Sequence, residues 1–186
     1  MPLLPDDLSA GVIELRRWRP IHLDGLLAAV EESFFELHQW MPWAATVPTV
    51  DELSAVLVEG EAAFDGDQEW LYVLCERGSD EVVGAAGLHP RTGPGSIEIG
   101  YWVRSDRAGR GYATAAARSL TEAAFACLDS VERVEIRMDR ANRASAAVPP
   151  RLGFRLLGGE SRAVLAPAQS GEGLVWVLDR RTSGHG

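Results

Sequence analysis

"SDRAGRGYATAAARSLTEAAFACL", Ser105 to Leu128, sets two glycines one residue apart, Gly109 and Gly111, between an aromatic-rich apolar run and an alanine-rich segment. The run before it, "IEIGYWV" (Ile97 to Val103 with Glu98 inside), reads as a strand, and the segment after it as a helix over Ala113 to Leu128. A strand-to-helix turn of this kind leaves backbone N–H groups unpaired at the positive end of a helix dipole. Glycines let an anion approach those groups closely. The geometry suits a pyrophosphate. Arg104, Arg107, Arg110 and Arg118 crowd around the turn, which is either an anion site or a solvated basic face.

Two nucleotide-binding motifs can be tested by spacing. A Walker loop needs a lysine, and all 18 basic residues are arginine. A dinucleotide fingerprint fails because Thr114 stands where the third glycine belongs, several residues separate Val103 from Gly109, and Glu98 interrupts the apolar strand.

Outward from the turn, the order of elements is legible. "GVIELRRW" (Gly11 to Trp18) alternates like a first strand, and "HLDGLLAAVEESFFELHQW" has apolar residues at helical spacing. Thr49 with Glu52 three residues on forms a capping box for a second helix. Trp70 to Cys75, Val82 to Leu88 and Ile97 to Val103, separated by turn-rich segments, read as an antiparallel meander. After the helix come a strand (Val134 to Met138), a short helix (Ala144 to Arg151), a strand (Phe154 to Leu157) and a last strand (Leu174 to Leu178). The tail "RRTSGHG" is expected to fray.

At 186 residues, 46% apolar and with mean hydropathy −0.05, the chain fits one globular domain spanning residues 1–186, its core about 11–179. No apolar run approaches the roughly 20 residues of a membrane helix, and the N-terminus lacks a basic region followed by an apolar one. A cytoplasmic, unprocessed protein is expected, with no membrane and no nucleic-acid partner. Cys75 and Cys127 read as buried thiols, and four scattered histidines offer no metal-binding spacing. The net charge of −9 hides a split: residues 1–100 hold 18 acids against 5 arginines, residues 101–186 hold 9 against 13. The acidic half suggests a cleft that attracts a cationic amine.

The "AGRGYAT" turn between "EIGYWV" and an amphipathic helix, followed by "DRANRASAAVPPRLGF" (Asp139 to Phe154), resembles the acyl-CoA-binding core of the GNAT N-acetyltransferases. With "LRRWRPIHLDGLLAAV" and "WMPW" it is most similar to the RimJ/RimL-like branch, the ribosomal-protein N-terminal acetyltransferases. The resemblance implies an α/β (α+β) fold with a central mixed, mostly antiparallel sheet of six to seven strands flanked by helices. It also implies acetyl-CoA as cofactor, its pyrophosphate on the turn formed by Arg104, Arg107, Gly109, Arg110, Gly111, Tyr112, Ala113 and Thr114. Asn142 matches the asparagine that contacts the pantetheine arm, and it equally suits a helix cap. Ala108 departs from the family pattern, which has glutamine or arginine there.

Acetylating an amine requires a neutral nucleophile and a stabilised thiolate. Glu98 is the candidate base: it is the only carboxylate in its strand, and alternation places it on one face with Gly100 and Trp102. Pairing with an arginine is its other reading. The tyrosine that many relatives use as acid is Pro149 here, and the resemblance makes the Ser145 hydroxyl the candidate donor. Trp40, Trp43 and Trp102 are candidates for the acceptor site, or for core. The acceptor is expected to be a protein N-terminus or a small amine, with a homodimer left open. A non-catalytic acyl-CoA-binding module and an NAD-dependent oxidoreductase are the competing classes.

Overall fold

The structure, a computed structural model, describes residues 3–180, so all but the first residue of the "RRTSGHG" tail lies outside the described residues. One sheet organises the chain. Its strands are β1 (Asp7–Ala10), β2 (Ile13–Arg17), β3 (Trp70–Glu76), β4 (Val82–His89), β5 (Ser96–Val103), β6 (Arg133–Asp139), β7 (Arg155–Ser161) and β8 (Glu172–Asp179). They lie in the order β1-β2-β3-β4-β5-β6-β8-β7, and every pairing is antiparallel except β5 with β6. The expected meander is β3-β4-β5. Eight strands replace the expected six to seven. The extra one, β1, is "DLSA", too short to show alternation; it forms a hairpin with β2 across Gly11, whose φ of +69° allows the tight turn.

Among the described residues six α-helices flank the sheet: α1 (Leu23–Glu32), α2 (Phe34–Trp40), α3 (Val50–Asp65), α4 (Tyr112–Cys127), α5 (Arg143–Ala146) and α6 (Val148–Arg151). Thr49 caps α3 as the capping box requires, its hydroxyl accepting from the Glu52 amide at 3.2 Å. The segment read as one helix over 22–40 is two, because it breaks at the buried Ser33. The Ser33 hydroxyl accepts from the Ser105 amide at 3.0 Å, and Glu36 accepts from the Ser105 hydroxyl at 2.8 Å. The break therefore ties the first helices to the start of the glycine turn. The segment expected as one short helix also divides, into α5 and α6, with prolines opening α6.

Two apolar layers cover the sheet. On one face α4 presents Ala116, Ala117 and Leu120 to Ile97, Ile99 and Ile136; the small alanines let the helix lie close. On the other, α1 and α3 bury Leu26, Leu53 and Leu57 against Val73 and Val82. Each of the larger side chains stabilises the fold by about 1.5–3 kcal/mol through burial alone.

The feature that positions the site is a defect in this sheet. β5 and β6 pair only from Ser96–Arg133 to Ile99–Ile136. Beyond that point β5 stays on β4 as far as Val103, and β6 stays on β8 as far as Asp139. Two parallel strands that keep their outer partners but leave each other open a wedge through the sheet, between residues 100–103 and 137–139.

Candidate active site

The glycine turn meets the wedge at the N-terminus of α4. Gly109 and Gly111 have φ of +76° and +83°, values that favour glycine, and a Cβ on either would meet no protein atom within 4 Å. Gly111 is the N-cap of α4 and supplies no side-chain cap. The amides of residues 109–114 find no acceptor among the described residues, while the next one, Ala115, bonds the Gly111 carbonyl at 2.9 Å. A run of aimed donors at a 16-residue helix, with open space above it, fits the oxygen atoms of a pyrophosphate. Tyr112, Ala113 and Thr114 belong to this cradle through their backbone.

The arginines around it are mostly occupied. Arg104 donates to both oxygens of Asp106 (2.8 and 2.7 Å) and to Glu81 (2.8 Å), which makes it a brace of the turn. Arg107 donates to Asp106 at 2.6 Å and Glu81 at 3.0 Å. Their side chains are 16% and 21% exposed, against 52% for Arg110, whose nearest carboxylate, Glu76, is 3.7 Å away. Arg110 is thus the arginine of the three best placed to turn to a phosphate. Part of the charge split between the two halves is spent here, in ion pairs from Arg104 and Arg107 of the second half to Glu81 of the first.

On the α4 face of the wedge, Asn142 caps α5: its side-chain oxygen accepts from the Ser145 amide at 3.1 Å. Both readings of Asn142 survive, since its amide nitrogen is not used by the cap. The Ser145 hydroxyl donates to the Tyr101 hydroxyl (3.2 Å), which donates to the Ser145 carbonyl (3.1 Å). Burial pushes the Tyr101 hydroxyl up to about 12, with the Ser145 bond acting against it, so Tyr101 keeps its proton at neutral pH. Tyr101 was not singled out by the sequence because the tyrosine that the resemblance implies as acid falls at Pro149. The usable signal was strand alternation, which turns Tyr101 to the helix side just where the wedge opens.

A cleft of about 1000 Å³ crosses the wedge. It reaches Tyr101, Asn142 and Ser145 on one face and Glu98, Trp102 and Trp43 on the other. Trp40 also lines it, and the Trp40 carbonyl accepts from the Gln169 side chain at 2.9 Å, tying the β7–β8 loop over the cleft. Trp43 is half exposed and its ring centroid lies 6.2 Å from that of Trp102. Trp102 also packs on the apolar layer under α1 and α3, so it is both core and wall.

Glu98 lies where alternation placed it, buried on the Trp102 side. Both its oxygens accept from the Arg91 fork, at 3.0 and 2.7 Å. The expected acidic cleft is corrected: Arg91, Arg137 and Arg162 line it together with Glu52, Glu98 and Asp139, because the first half's acids are dispersed over other ion pairs. His89, across the ladder from Glu98, also lines the cleft and bonds the Glu69 carboxylate through Nδ1. Sequence reasoning set this histidine aside with the others; its place as the last residue of β4, opposite Glu98, is visible only once strand register is known. Among the described residues no group of three or more His, Cys, Asp or Glu side chains could hold a metal, and no helix is long and apolar enough to cross a membrane.

Comparison with known proteins places this geometry in a family. YdaF of Bacillus subtilis (strain 168), which carries the name of a ribosomal N-acetyltransferase, is 46% identical over 57 residues, a match that spans 31% of either chain. The structure of Mycobacterium smegmatis RimJ in complex with CoA-disulfide superposes with a TM-score of 0.84 at 25% identity, over 96% of this chain and 89% of that one. The microcin C7 self-immunity acetyltransferase MccE, solved with acetyl-CoA and AMP, has the same fold at 17% identity, with a TM-score of 0.85 over 96% of this chain and 99% of that one. The family described as Acetyltransferase (GNAT) domain matches residues 13–155, and with the fold and the amide cradle in agreement, the chain belongs to the GNAT acetyltransferases.

Proposed function

We propose that the protein transfers the acetyl group of acetyl-CoA to a primary amine, and that the amine is a protein or peptide N-terminus. The observation that carries the reading is the wedge, one opening that joins the amide cradle and the Tyr101–Ser145 pair on the helix side to the Trp43–Trp102 side of the sheet. Two substrates entering from opposite faces meet there without a covalent enzyme intermediate. The cofactor supplies an activated thioester; the amides of residues 109–114 and Arg110 would hold its pyrophosphate, and Asn142 its pantetheine arm.

The chain's own groups then divide the work. Tyr101 and Ser145 carry hydroxyl protons that can be shared with a departing sulfur. Glu98 presents carboxylate oxygens, shared with the Arg91 fork, on the acceptor side, where they can take a further hydrogen bond from an ammonium group. Trp40, Trp43 and Trp102 wall that entrance, and a flexible N-terminal peptide fits an open-sided cleft better than a sealed pocket would. The names of YdaF and RimJ support the ribosomal-protein class of acceptor. Cytoplasmic action belongs to the same proposal. Free-thiol release from acetyl-CoA with a panel of peptides differing in their first residue, set beside small amines, tests it: turnover confined to peptides supports the proposal, and turnover confined to small amines moves the acceptor class.

A further inference from the structure

We infer that His89, positioned by Glu69, accepts the proton of the attacking amine; the inference rests on the acetyl-transfer reading above. His89 ends β4 and pairs with Glu98 on β5, so its imidazole lies on the acceptor face of the sheet. Its Nδ1 bonds the Glu69 carboxylate. A carboxylate only accepts, so Nδ1 carries a hydrogen, and in the neutral ring the lone pair is then on Nε2. The ring leans along the strands toward the wedge: a Cβ at Gly100 would lie 3.0 Å from Nε2, and one at Gly87 3.5 Å. A side chain at Gly100 would crowd the imidazole, which would have to give way by a few tenths of an ångström. Nε2 has no hydrogen-bond partner among the described residues, and the cleft that it borders continues to Tyr101 and Ser145.

Glu98 is the competing acceptor. Each of its oxygens already takes a charge-assisted bond from Arg91, so a proton arriving there would break that fork. The charged groups facing His89 are Glu69 before β3, Arg91 after β4 and Glu98 on β5. The bond from His89 holds the Glu69 carboxyl below the usual carboxylate range, against the effect of burial and with help from Arg91, so Glu69 remains an anion able to steady an imidazolium. In the step proposed, the ammonium passes one proton to Nε2, and the freed nitrogen lone pair forms the C–N bond to the acetyl carbon. The C–S electron pair leaves on sulfur. The second proton of the nitrogen reaches that sulfur through the Tyr101 and Ser145 hydroxyls or water, and the imidazolium returns its proton to solvent.

The test uses the full chain and a peptide that the wild type acetylates. H89Q keeps a side-chain amide near Glu69 but removes the basic nitrogen, and should lower kcat about 100-fold or more, with the KM for acetyl-CoA within about twofold of wild type. H89A should behave alike, and imidazole in solution should restore part of its rate in proportion to the unprotonated fraction, while doing nothing for E98Q. E69Q should lose rate and E69D regain most of it. Independently of activity, nitrogen-15 NMR of the unliganded wild type, followed to alkaline pH, should show the neutral form of His89 with its hydrogen on Nδ1. Wild-type turnover in H89Q and H89A, or a neutral ring with its hydrogen on Nε2, would overturn the assignment while leaving acetyl transfer standing. A wild type that turns over no amine at all would overturn the acetyl-transfer reading, and this inference with it.

Discussion

The Tyr101 hydroxyl meets Ser145 twice, donating to its carbonyl at 3.1 Å and accepting from its hydroxyl at 3.2 Å. The pair spans the junction between β5 and α5, and it links the wedge to the helix that Asn142 caps. A proton shared between two hydroxyls and a nascent thiolate stabilises the transition state more than the ground state. Tyr101→Phe and Ser145→Ala should therefore each lower kcat by roughly 10- to 100-fold, with little change in the KM for acetyl-CoA. Because the two groups act as a unit, the double variant should lose much less than the product of the single losses. A fully multiplicative double variant would make the two hydroxyls independent contributors, and wild-type rates in both singles would remove them from the reaction.

Burial raises the Tyr101 hydroxyl to about 12, above the ordinary value of 10 for an unfolded chain. The folded state thus holds this proton where the unfolded chain releases it. The stabilisation is complete below pH 10 and declines as pH rises through 12. Tyr101→Phe should flatten this part of the stability curve, measured by denaturant unfolding between pH 9 and about 11. An unchanged slope would mean that Tyr101 is more solvated than the structure shows.

Gly111 tests the anion cradle. Valine there must adopt φ near +83° and would put its side chain over the open amides. Saturating coenzyme A should stabilise the wild type by about 2.7 kcal/mol at 100 times its Kd, and NAD should not. Gly111→Val should lose that thermal shift. Since strain at this φ costs about 1–2 kcal/mol by itself, the reading is the change on adding coenzyme A, not the starting Tm. Retention of the full shift would put the pyrophosphate elsewhere.

Two roles for Glu98 make opposite predictions. If Glu98 draws in the ammonium, Glu98→Gln should raise the KM for the amine by about tenfold, equivalent to about 1.4 kcal/mol, with a smaller change in kcat at every pH. If Glu98 were itself the base, kcat would fall most near neutral pH and recover as more amine is unprotonated.

The order of elements was readable because each is a matter of local pattern: apolar runs bounded by turn-rich segments in β3, β4 and β5, helical spacing in α4, the Thr49–Glu52 box before α3. The glycine turn was readable for a related reason, since its donors are backbone groups that need no partner from afar. What stayed hidden depends on register and long-range pairing. Glu98 could be assigned a face but not the Arg91 fork, which comes from the loop after β4. His89 acquires meaning only when β4 is laid against β5 and when Glu69, 20 residues earlier, comes to its Nδ1. The arginine cluster looked like an anion site because their acidic partners, Glu76 and Glu81, lie in another part of the chain. β1 was missed because four residues carry too little pattern.

The account rests most directly on transfer of an acetyl group to an amine terminus. Incubating the full chain with acetyl-CoA and a short peptide, following free thiol and locating the new group by mass spectrometry, measures that claim in one assay. The account predicts stoichiometric thiol release and acetylation at the peptide's first nitrogen, abolished when that nitrogen is blocked beforehand. Coenzyme A binding with no thiol release from any peptide or small amine would contradict it and leave a binding module on the same fold.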